Sequence, residues 1–347
     1  MDIKDLLRPT IKALKPYSSA RDEFQGATDN MVFLDANENP FENGVNRYPD
    51  PLQRELKSLW SELKGVSVEN IMFGNGSDEV LDLIYRAFCE PNQDNVITLP
   101  PTYGMYEVLA NLNAIVIKKV NLDNNFQPKV DEILSTVDKN SKLLFICSPN
   151  NPSGNSFYSE AITRLVSEFK GIVVIDEAYI DFSKEESWVS RLNNFPNLIV
   201  TQTVSKAYAM AGIRLGICYA SAEIISVLNA IKPPYNINEL TQKKALELLN
   251  VKGLAEKQIT DILLEREKLI DALKSIDFIS KIYPTDANFV LVKVDDANKR
   301  YNQLIEKGIV IRNRTTQPGC ENTLRLTVGT ADENEILVKA FLLISKS

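Results

Sequence analysis

Short apolar segments rich in β-branched residues alternate with helix-period segments from about residue 52 to residue 230. The first helical segment carries leucines at the i, i+4, i+7 and i+11 spacing, namely Leu52, Leu56, Leu59 and Leu63. Later strands are predicted at 95–99, 114–120, 143–147, 172–175, 198–201 and 215–219. This alternation is typical of a mostly parallel sheet with helices on both faces. The sequence therefore predicts an α/β fold whose ligands bind at the carboxyl ends of the strands.

A second region begins after Pro233-Pro234, which interrupts the alternation. A long helical stretch is predicted from about 239 to 275, and strands follow at 288–294, 310–312 and 323–328. The last helix should open with a capping box that pairs Thr330 with Glu333. This pattern predicts a smaller α+β domain, and 347 residues are long for a single core. We expect an N-terminal segment (1–45) that joins the small domain, a large cofactor-binding domain (46–250) and a small C-terminal domain (251–347).

The chain contains no histidine. A histidine general base, a histidine-containing triad and an imidazole metal ligand are therefore excluded, and proton transfer would fall to lysine, tyrosine or a carboxylate. With 39 basic and 46 acidic residues, the net charge of −7 argues against binding to nucleic acid or an anionic membrane surface. The four cysteines lack CxxC spacing, so neither a metal site nor a disulfide framework is expected.

The first residues, Met1 to Asp5, begin a polar amphipathic stretch without the apolar core of a signal peptide. No apolar run approaches the 18 residues that a transmembrane helix needs. Together with the scattered thiols, these features predict a reducing, cytoplasmic location and no membrane contact.

A glycine turn, Gly74-Asn75-Gly76-Ser77-Asp78, joins a predicted strand to a predicted helix, with Ser77 expected as the N-cap. The turn resembles a dinucleotide-binding fingerprint, but Glu79 occupies the place of the third glycine, which weakens a dehydrogenase assignment. The free amides at the start of the helix can instead hold one phosphate group. Alone, the motif is also compatible with an ordinary tight turn.

Polar residues follow the next strands at the edge where ligands gather. Asn151, Asp176 and Lys206 each come shortly after a predicted strand. Tyr179 follows Asp176, and Arg214 follows Lys206 eight residues later. Taken singly, each has a structural explanation, such as a turn, an ion pair or a solvated surface charge.

Taken together, these residues match the requirements of pyridoxal phosphate. A lysine forms the Schiff base, an aspartate keeps the pyridine nitrogen protonated, and asparagine and tyrosine hold the ring oxygen. Amides of the glycine turn, hydroxyl groups and an arginine can hold the phosphate. The combination predicts a pyridoxal phosphate site in a chain that cannot use histidine.

Longer motifs extend this pattern over nearly the whole chain. In order, they are Leu34-Asp35-Ala36-Asn37-Glu38-Asn39-Pro40, Arg47-Tyr48-Pro49, Pro100-Pro101-Thr102-Tyr103-Gly104-Met105-Tyr106, Asn150-Asn151-Pro152, Asp176-Glu177-Ala178-Tyr179, Ser205-Lys206-Ala207 and Leu324-Arg325-Leu326-Thr327-Val328-Gly329-Thr330. With these motifs the chain resembles the histidinol-phosphate aminotransferases, which belong to the fold-type-I pyridoxal-phosphate-dependent aminotransferases. The resemblance implies the fold-type-I architecture and pyridoxal 5'-phosphate as cofactor.

The resemblance also implies individual roles. Lys206 would form the Schiff base, Asp176 would pair with the pyridinium nitrogen, and Tyr103 would stack on the ring. The other cofactor contacts would be Gly76, Ser77, Asp78, Asn151, Tyr179, Thr203, Ser205, Arg214 and, from the partner subunit, Tyr48. Arg325 and Arg312 would hold the anionic end of the substrate, with Asn37 beside it. Arg314 shares a strand face with Arg312, and the sequence leaves open which of them faces the site.

By the same resemblance, the protein would be a homodimer with shared active sites. It would move an amino group between glutamate and imidazole acetol phosphate, which gives 2-oxoglutarate and histidinol phosphate. An aromatic amino acid aminotransferase and a threonine-phosphate decarboxylase are alternatives on the same scaffold. A non-catalytic pyridoxal-phosphate-binding regulator is an alternative of a different class, although such a protein usually needs a basic DNA-binding module.

Overall fold

The computed structural model describes residues 3–15 and 31–345. The larger sheet consists of β1 (Ile71–Asn75), β2 (Asn95–Thr98), β3 (Val116–Lys119), β4 (Ser141–Cys147), β5 (Ile172–Asp176), β6 (Leu198–Thr203) and β7 (Leu215–Ala220). Their order is β1-β7-β6-β5-β4-β2-β3, and only β7 runs antiparallel to its neighbours. The predicted mostly parallel sheet is therefore confirmed.

Helices and their connections precede or flank this sheet. They are α1 (Pro9–Lys12), α2 (Arg54–Lys64), α3 (Ser77–Phe88), α4 (Met105–Leu112), α5 (Val130–Thr136), α6 (Ser159–Glu168), α7 (Ala222–Ile231) and α8 (Glu239–Leu249). Alternate strand residues enter opposite cores: Phe145 and Val174 pack with α3, α4 and α7, whereas Leu144 and Val173 pack with α2 and α6. Both faces of the sheet are thus covered, as the sequence predicts.

A second sheet is antiparallel and four-stranded. It consists of β8 (Ile279–Ile282), β9 (Phe289–Val294), β10 (Arg312–Asn313) and β11 (Thr323–Thr327), in the order β10-β11-β9-β8. One face packs on α9 (Leu254–Leu273), α10 (Ala297–Glu306) and α11 (Ala331–Ser345). The predicted α+β region is confirmed, and β8 is a strand that the sequence analysis did not predict.

The helical stretch predicted over about 239–275 is helical for most of its length, but it forms two helices, α8 and α9, with a turn between them. Gly253 adopts the left-handed conformation at the start of α9, with φ at +76°, which interrupts the helical path. The predicted domain boundary at residue 250 falls in this turn. The three-part domain division stays a prediction, and part of its N-terminal segment lies outside the described residues.

Helix caps test two further predictions. The capping box is confirmed: the Thr330 amide donates to Glu333 Oε2 at 2.8 Å, and the Glu333 amide donates to Thr330 Oγ1 at 3.3 Å. The N-cap of α3 is Gly76 rather than Ser77, because the left-handed backbone at Gly76 turns the chain from β1 straight into the helix. Within residues 3–15 and 31–345, none of the helices has the length and apolar character to cross a bilayer.

Candidate active site

A cavity of about 120 Å³ lies beside the carboxyl ends of β4, β5 and β6. All predicted cofactor contacts except Gly76 and Tyr48 line it, together with two residues that were not predicted, Cys147 and Ala178. The parallel arrangement explains the gathering, since residues that follow adjacent parallel strands meet at one edge of the sheet.

Asp176 ends β5 and is only 3% exposed. Its Oδ2 accepts a hydrogen bond from Tyr106 Oη at 2.7 Å, and its Oδ1 accepts one from the Ala178 amide at 3.1 Å. Burial raises the pKa of Asp176, although both hydrogen bonds oppose that shift. No cationic side chain in the described part of the chain forms an ion pair with this carboxylate. A cationic ligand atom would supply the partner that a buried carboxylate needs.

Tyr106 is a residue of this site that the sequence analysis did not assign. It is fully buried, its ring stacks on Phe145 with centroids 4.9 Å apart, and it meets Tyr103 edge-on at 5.6 Å. The sequence contained one signal, because Tyr106 stands in the same motif as Tyr103, but its contact with Asp176 arises from the packing of α4. Cys147 and Ala178 carried no comparable signal.

Lys206 follows β6 and lines the cavity. Its Nζ lies 6.0 Å from the centroid of the Tyr179 ring. Burial lowers the pKa of Lys206, and the positive charges of Arg325 and Arg214 lower it further. The lowered pKa increases the fraction of neutral amine, which is the form that acts as nucleophile or base.

One end of the cavity is suited to an anion, and we call it the anion cup. Ser77, Thr203, Ser205 and Arg214 line it, and Gly76 lies against Arg214. The amino end of α3 reaches it with Ser77, and a Cβ at Gly76 would lie 2.6 Å from Arg214 Nη2. A Cβ on Gly216 would overlap the Ser77 amide nitrogen, so β7 can approach the helix start only with glycine at that position. Backbone amides, a guanidinium and nearby hydroxyls are suited to a phosphate group.

The hydroxyl groups in the cup are Thr203 and Ser205. Thr203 Oγ1 donates to Ser205 Oγ at 3.0 Å, and the Ser205 amide donates to Thr203 Oγ1 at 3.1 Å. Arg214 Nη2 lies 3.8 Å from Asp78 Oδ2, and Tyr103 Oη donates to Asp78 Oδ1 at 3.0 Å. Asp78 therefore connects the cup to the ring of Tyr103.

Asn151 and Tyr179 lie on the side of the cavity nearest the second sheet. Asn151 Oδ1 accepts a hydrogen bond from Arg325 Nη1, and Tyr179 meets Phe289 edge-on with centroids 5.1 Å apart. Burial raises the pKa of Tyr179, whereas the nearby Arg325 lowers it. These contacts place Arg325 next to the cavity, although β11 belongs to the other sheet.

Arg312 and Arg314, between which the sequence could not choose, differ in their exposure to solvent. Arg312 lies directly opposite Arg325 in the β10–β11 ladder and is exposed to solvent, whereas Arg314 is half-buried. The pKa of Arg325 is lowered to about 10, mainly by burial. The positive charge of Arg314 contributes more to this lowering than the charge of Arg312 does.

Two predicted residues line a separate cavity. Tyr48 and Asn37 line a different cavity of about 550 Å³, where Tyr48 stacks on Tyr235 at 4.4 Å. Tyr48 is 51% exposed. Within one chain, therefore, neither residue joins Lys206 and Asp176.

The residues of the cavity fit pyridoxal phosphate. Asp176 is a buried carboxylate without an ion-pair partner in the described part of the chain, as a pyridinium nitrogen requires. Glycines at positions 76 and 216 leave room that side chains would fill at the anion cup. Lys206 offers an amine with a lowered pKa between these two ends.

Comparison with known proteins agrees with this chemistry. A histidinol-phosphate aminotransferase of Flavobacterium johnsoniae is 60% identical over 345 residues, which cover 99% of each chain. The crystal structure of the histidinol-phosphate aminotransferase from Clostridium acetobutylicum is 26% identical, with a TM-score of 0.80 over 87% of this chain and 91% of that one. The enzyme of that name from Sinorhizobium meliloti, solved with pyridoxal-5'-phosphate, shares the fold at 21% identity, with a TM-score of 0.79 over 86% of this chain and 83% of that one.

The family described as "Aminotransferase class I and II" matches residues 27–341. This match spans most of the chain, and the Flavobacterium relative matches nearly all of it. The chain belongs to the class I and II aminotransferases, the pyridoxal-phosphate-dependent family that includes the histidinol-phosphate aminotransferases.

Proposed function

We propose that the protein moves an amino group between glutamate and imidazole acetol phosphate, so that 2-oxoglutarate and histidinol phosphate are formed. The observation that carries this proposal is the contact between Arg325 and Asn151, which puts an anion-binding group beside the amine of Lys206. The name of the Flavobacterium relative, at 60% identity, supports the same substrate.

In this proposal, each residue that contacts the pyridine ring of the cofactor has a separate role. Pyridoxal phosphate, when bound, supplies an electron sink for the pair left behind when the substrate loses its α-proton. Asp176 holds a proton at the pyridine nitrogen, while Asn151 and Tyr179 orient the ring oxygen. Tyr103 covers the ring face and keeps water from it.

Lys206 is the base of the proposed reaction. Its Nζ accepts the proton from the substrate Cα, and the lowered pKa of this amine increases the share of the neutral form, which is the form that acts as base. The anion cup fixes the cofactor phosphate through the amides of Ser77 and Asp78 and through Arg214. Anchoring at the phosphate keeps the reacting atoms in register with Lys206.

At the substrate end, Arg325 and Arg312 bind the anionic group, whereas Asn37 lines the cavity of Tyr48 and lies away from this group within one chain. A guanidinium fork binds a carboxylate or a phosphate with two parallel hydrogen bonds, so one site can serve both substrates. The ping-pong order of the reaction requires this, because glutamate and the phosphorylated substrate occupy the site in turn.

Substrate preference is tested with a panel of amino acceptors. After glutamate has transferred its amino group to the enzyme-bound cofactor, we expect imidazole acetol phosphate to be converted far faster than phenylpyruvate. A preference for phenylpyruvate would indicate an aromatic aminotransferase. Release of carbon dioxide from threonine phosphate would indicate a decarboxylase instead.

We also propose a homodimer in which Tyr48 reaches the cofactor phosphate of the partner subunit. The support is the exposure of Tyr48 together with exposed apolar side chains that line the same cavity, namely Val45 at 54% and Leu240 at 65% exposure. A second copy of the chain would cover these side chains.

Mixed dimers test this shared site. One chain carries Lys206→Ala and the other Tyr48→Asp, and both homodimers should be impaired, the second because aspartate repels the cofactor phosphate. In the mixed dimer one site combines both intact residues, so about half of the sites should recover activity. If only the residual activity of a Tyr48→Asp site is found, Tyr48 acts within its own chain.

A cytoplasmic location is part of the proposal. Cys89, Cys147, Cys218 and Cys320 are buried free thiols, which suits a reducing compartment.

A further inference from the structure

The second sheet turns one face toward the cavity and the other toward its own helices. Leu324 and Leu326 of β11 pack into the core with α9, α10 and α11. Arg325 lies between them in sequence, so its side chain projects from the opposite face, where it contacts Asn151.

Three arginines gather on the face that carries Arg325. Arg312 is its direct cross-strand neighbour, and the Arg314 amide donates to the Thr323 carbonyl at 2.9 Å, which continues the pairing by one more step. Residues two apart on a strand share a face, so Arg314 is the diagonal neighbour of Arg325, within reach of its long side chain.

In the part of the chain that the structure describes, this cluster of like charges has no carboxylate as an ion-pair partner. The Nε atoms of Arg314 and Arg325 are both buried and have no hydrogen-bond partner, and neither guanidinium forms an ion pair with a carboxylate among residues 3–15 and 31–345. Like charges placed side by side on a sheet are destabilising, and buried donors without acceptors add to that cost. The arrangement is therefore suited to an anionic ligand.

The structure assigns to Arg314 the role of a specificity-determining residue that contacts the substrate phosphate together with Arg325. This inference rests on the proposed function and adds a residue to its substrate site. A phosphate monoester carries up to two negative charges and three terminal oxygens, whereas a carboxylate carries one charge and two oxygens. The additional half-buried guanidinium of Arg314 thus favours the phosphorylated substrate over glutamate.

Arg314→Gln in the holoenzyme tests this assignment, with each half-reaction measured separately. We expect kcat/KM for histidinol phosphate to fall about 30-fold, which corresponds to about 2 kcal/mol at about 1.4 kcal/mol per tenfold change. Glutamate presents a carboxylate with one charge and two oxygens to this position and depends less on Arg314, so we expect a fall of about threefold. Lys299→Gln is the matched control, because it removes one exposed positive charge from the same part of the chain.

Binding is measured independently with inorganic phosphate as an inhibitor of the glutamate half-reaction. Its inhibition constant should rise about 30-fold in Arg314→Gln and about fivefold in Arg314→Lys, which keeps the charge but loses the fork. The Lys variant also serves if the Gln variant fails to fold. In Lys299→Gln the inhibition constant should be that of the parent.

The outcomes separate this inference from the proposed function. If the parent does not convert histidinol phosphate, the proposed substrate is wrong, and the inference fails with it. If the parent converts it but Arg314→Gln weakens both substrates equally, or neither, Arg314 does not set the preference. An unchanged inhibition constant for phosphate in both variants would also overturn the assignment.

Discussion

Tyr106→Phe removes one oxygen atom from the fully buried contact between Tyr106 and Asp176. The bond lost is 2.7 Å long and has a carboxylate as acceptor, so its contribution to the free energy of unfolding is about 1.5–3 kcal/mol while Asp176 is ionised. The loss of stability caused by Tyr106→Phe should depend on pH. A protonated carboxyl is a weaker acceptor, and a hydrogen bond to it contributes about 1 kcal/mol.

The sign follows from the raised pKa of Asp176. The folded chain holds a proton at Asp176 more readily than the unfolded chain does, so the contribution of Asp176 to stability is greatest at low pH and is lost as pH rises through the folded pKa. Losing the Tyr106 hydrogen bond raises that pKa further. The difference in stability between variant and parent should therefore be largest at pH 8 and smaller at pH 5.

Urea denaturation of the apoenzyme at both pH values measures this difference. Tyr85→Phe is the matched control, because Tyr85 is also fully buried but donates to a neutral acceptor, the Tyr106 carbonyl, at 2.8 Å. Its cost should be about 1 kcal/mol at either pH. Equal, pH-independent costs for the two variants would refute the view that Tyr106 stabilises the ionised form of Asp176.

Three further predictions concern the same edge of the sheet. Asp176→Asn should still bind the cofactor but slow proton removal from glutamate by about 100-fold or more in single turnovers, and rates like those of the parent would contradict its role. Gly216→Ala should weaken cofactor binding at least about tenfold by displacing the Ser77 amide, whereas Gly212→Ala, which has open space at its Cβ, should not. Burial raises the pKa of Glu177 to about 7, so its contribution to stability is lost as pH rises through 7, and a titration of its carboxyl by NMR should give a midpoint near 7 rather than 4.5.

The strand-end residues were predictable because their positions follow from the alternation of strands and helices. Once Asp176 and Lys206 are placed after neighbouring strands, a parallel sheet brings them to one edge without further information. Gly76 of the anion cup was likewise visible as part of a turn. Gly216 was not, since its importance arises from a contact with Ser77 that is distant in sequence.

Other features depended on tertiary contacts that a local pattern does not contain. Tyr106 acquires its role only because α4 packs over β5 with the hydroxyl facing Asp176. The difference between exposed Arg312 and half-buried Arg314 depends on how the second sheet meets the cavity, since both share a strand face. Tyr48 lies away from Lys206 in a single chain, so its predicted role requires a second copy.

The central claim is that Lys206, in this cavity, exchanges amino groups between glutamate and a phosphorylated keto substrate. The most direct test is the visible absorption of the bound cofactor in the parent and in Lys206→Ala. In the parent the spectrum should change when glutamate is added and return when imidazole acetol phosphate follows, whereas the variant should not complete this cycle. A complete cycle in Lys206→Ala, or a parent spectrum that phenylpyruvate restores but imidazole acetol phosphate does not, would contradict the account.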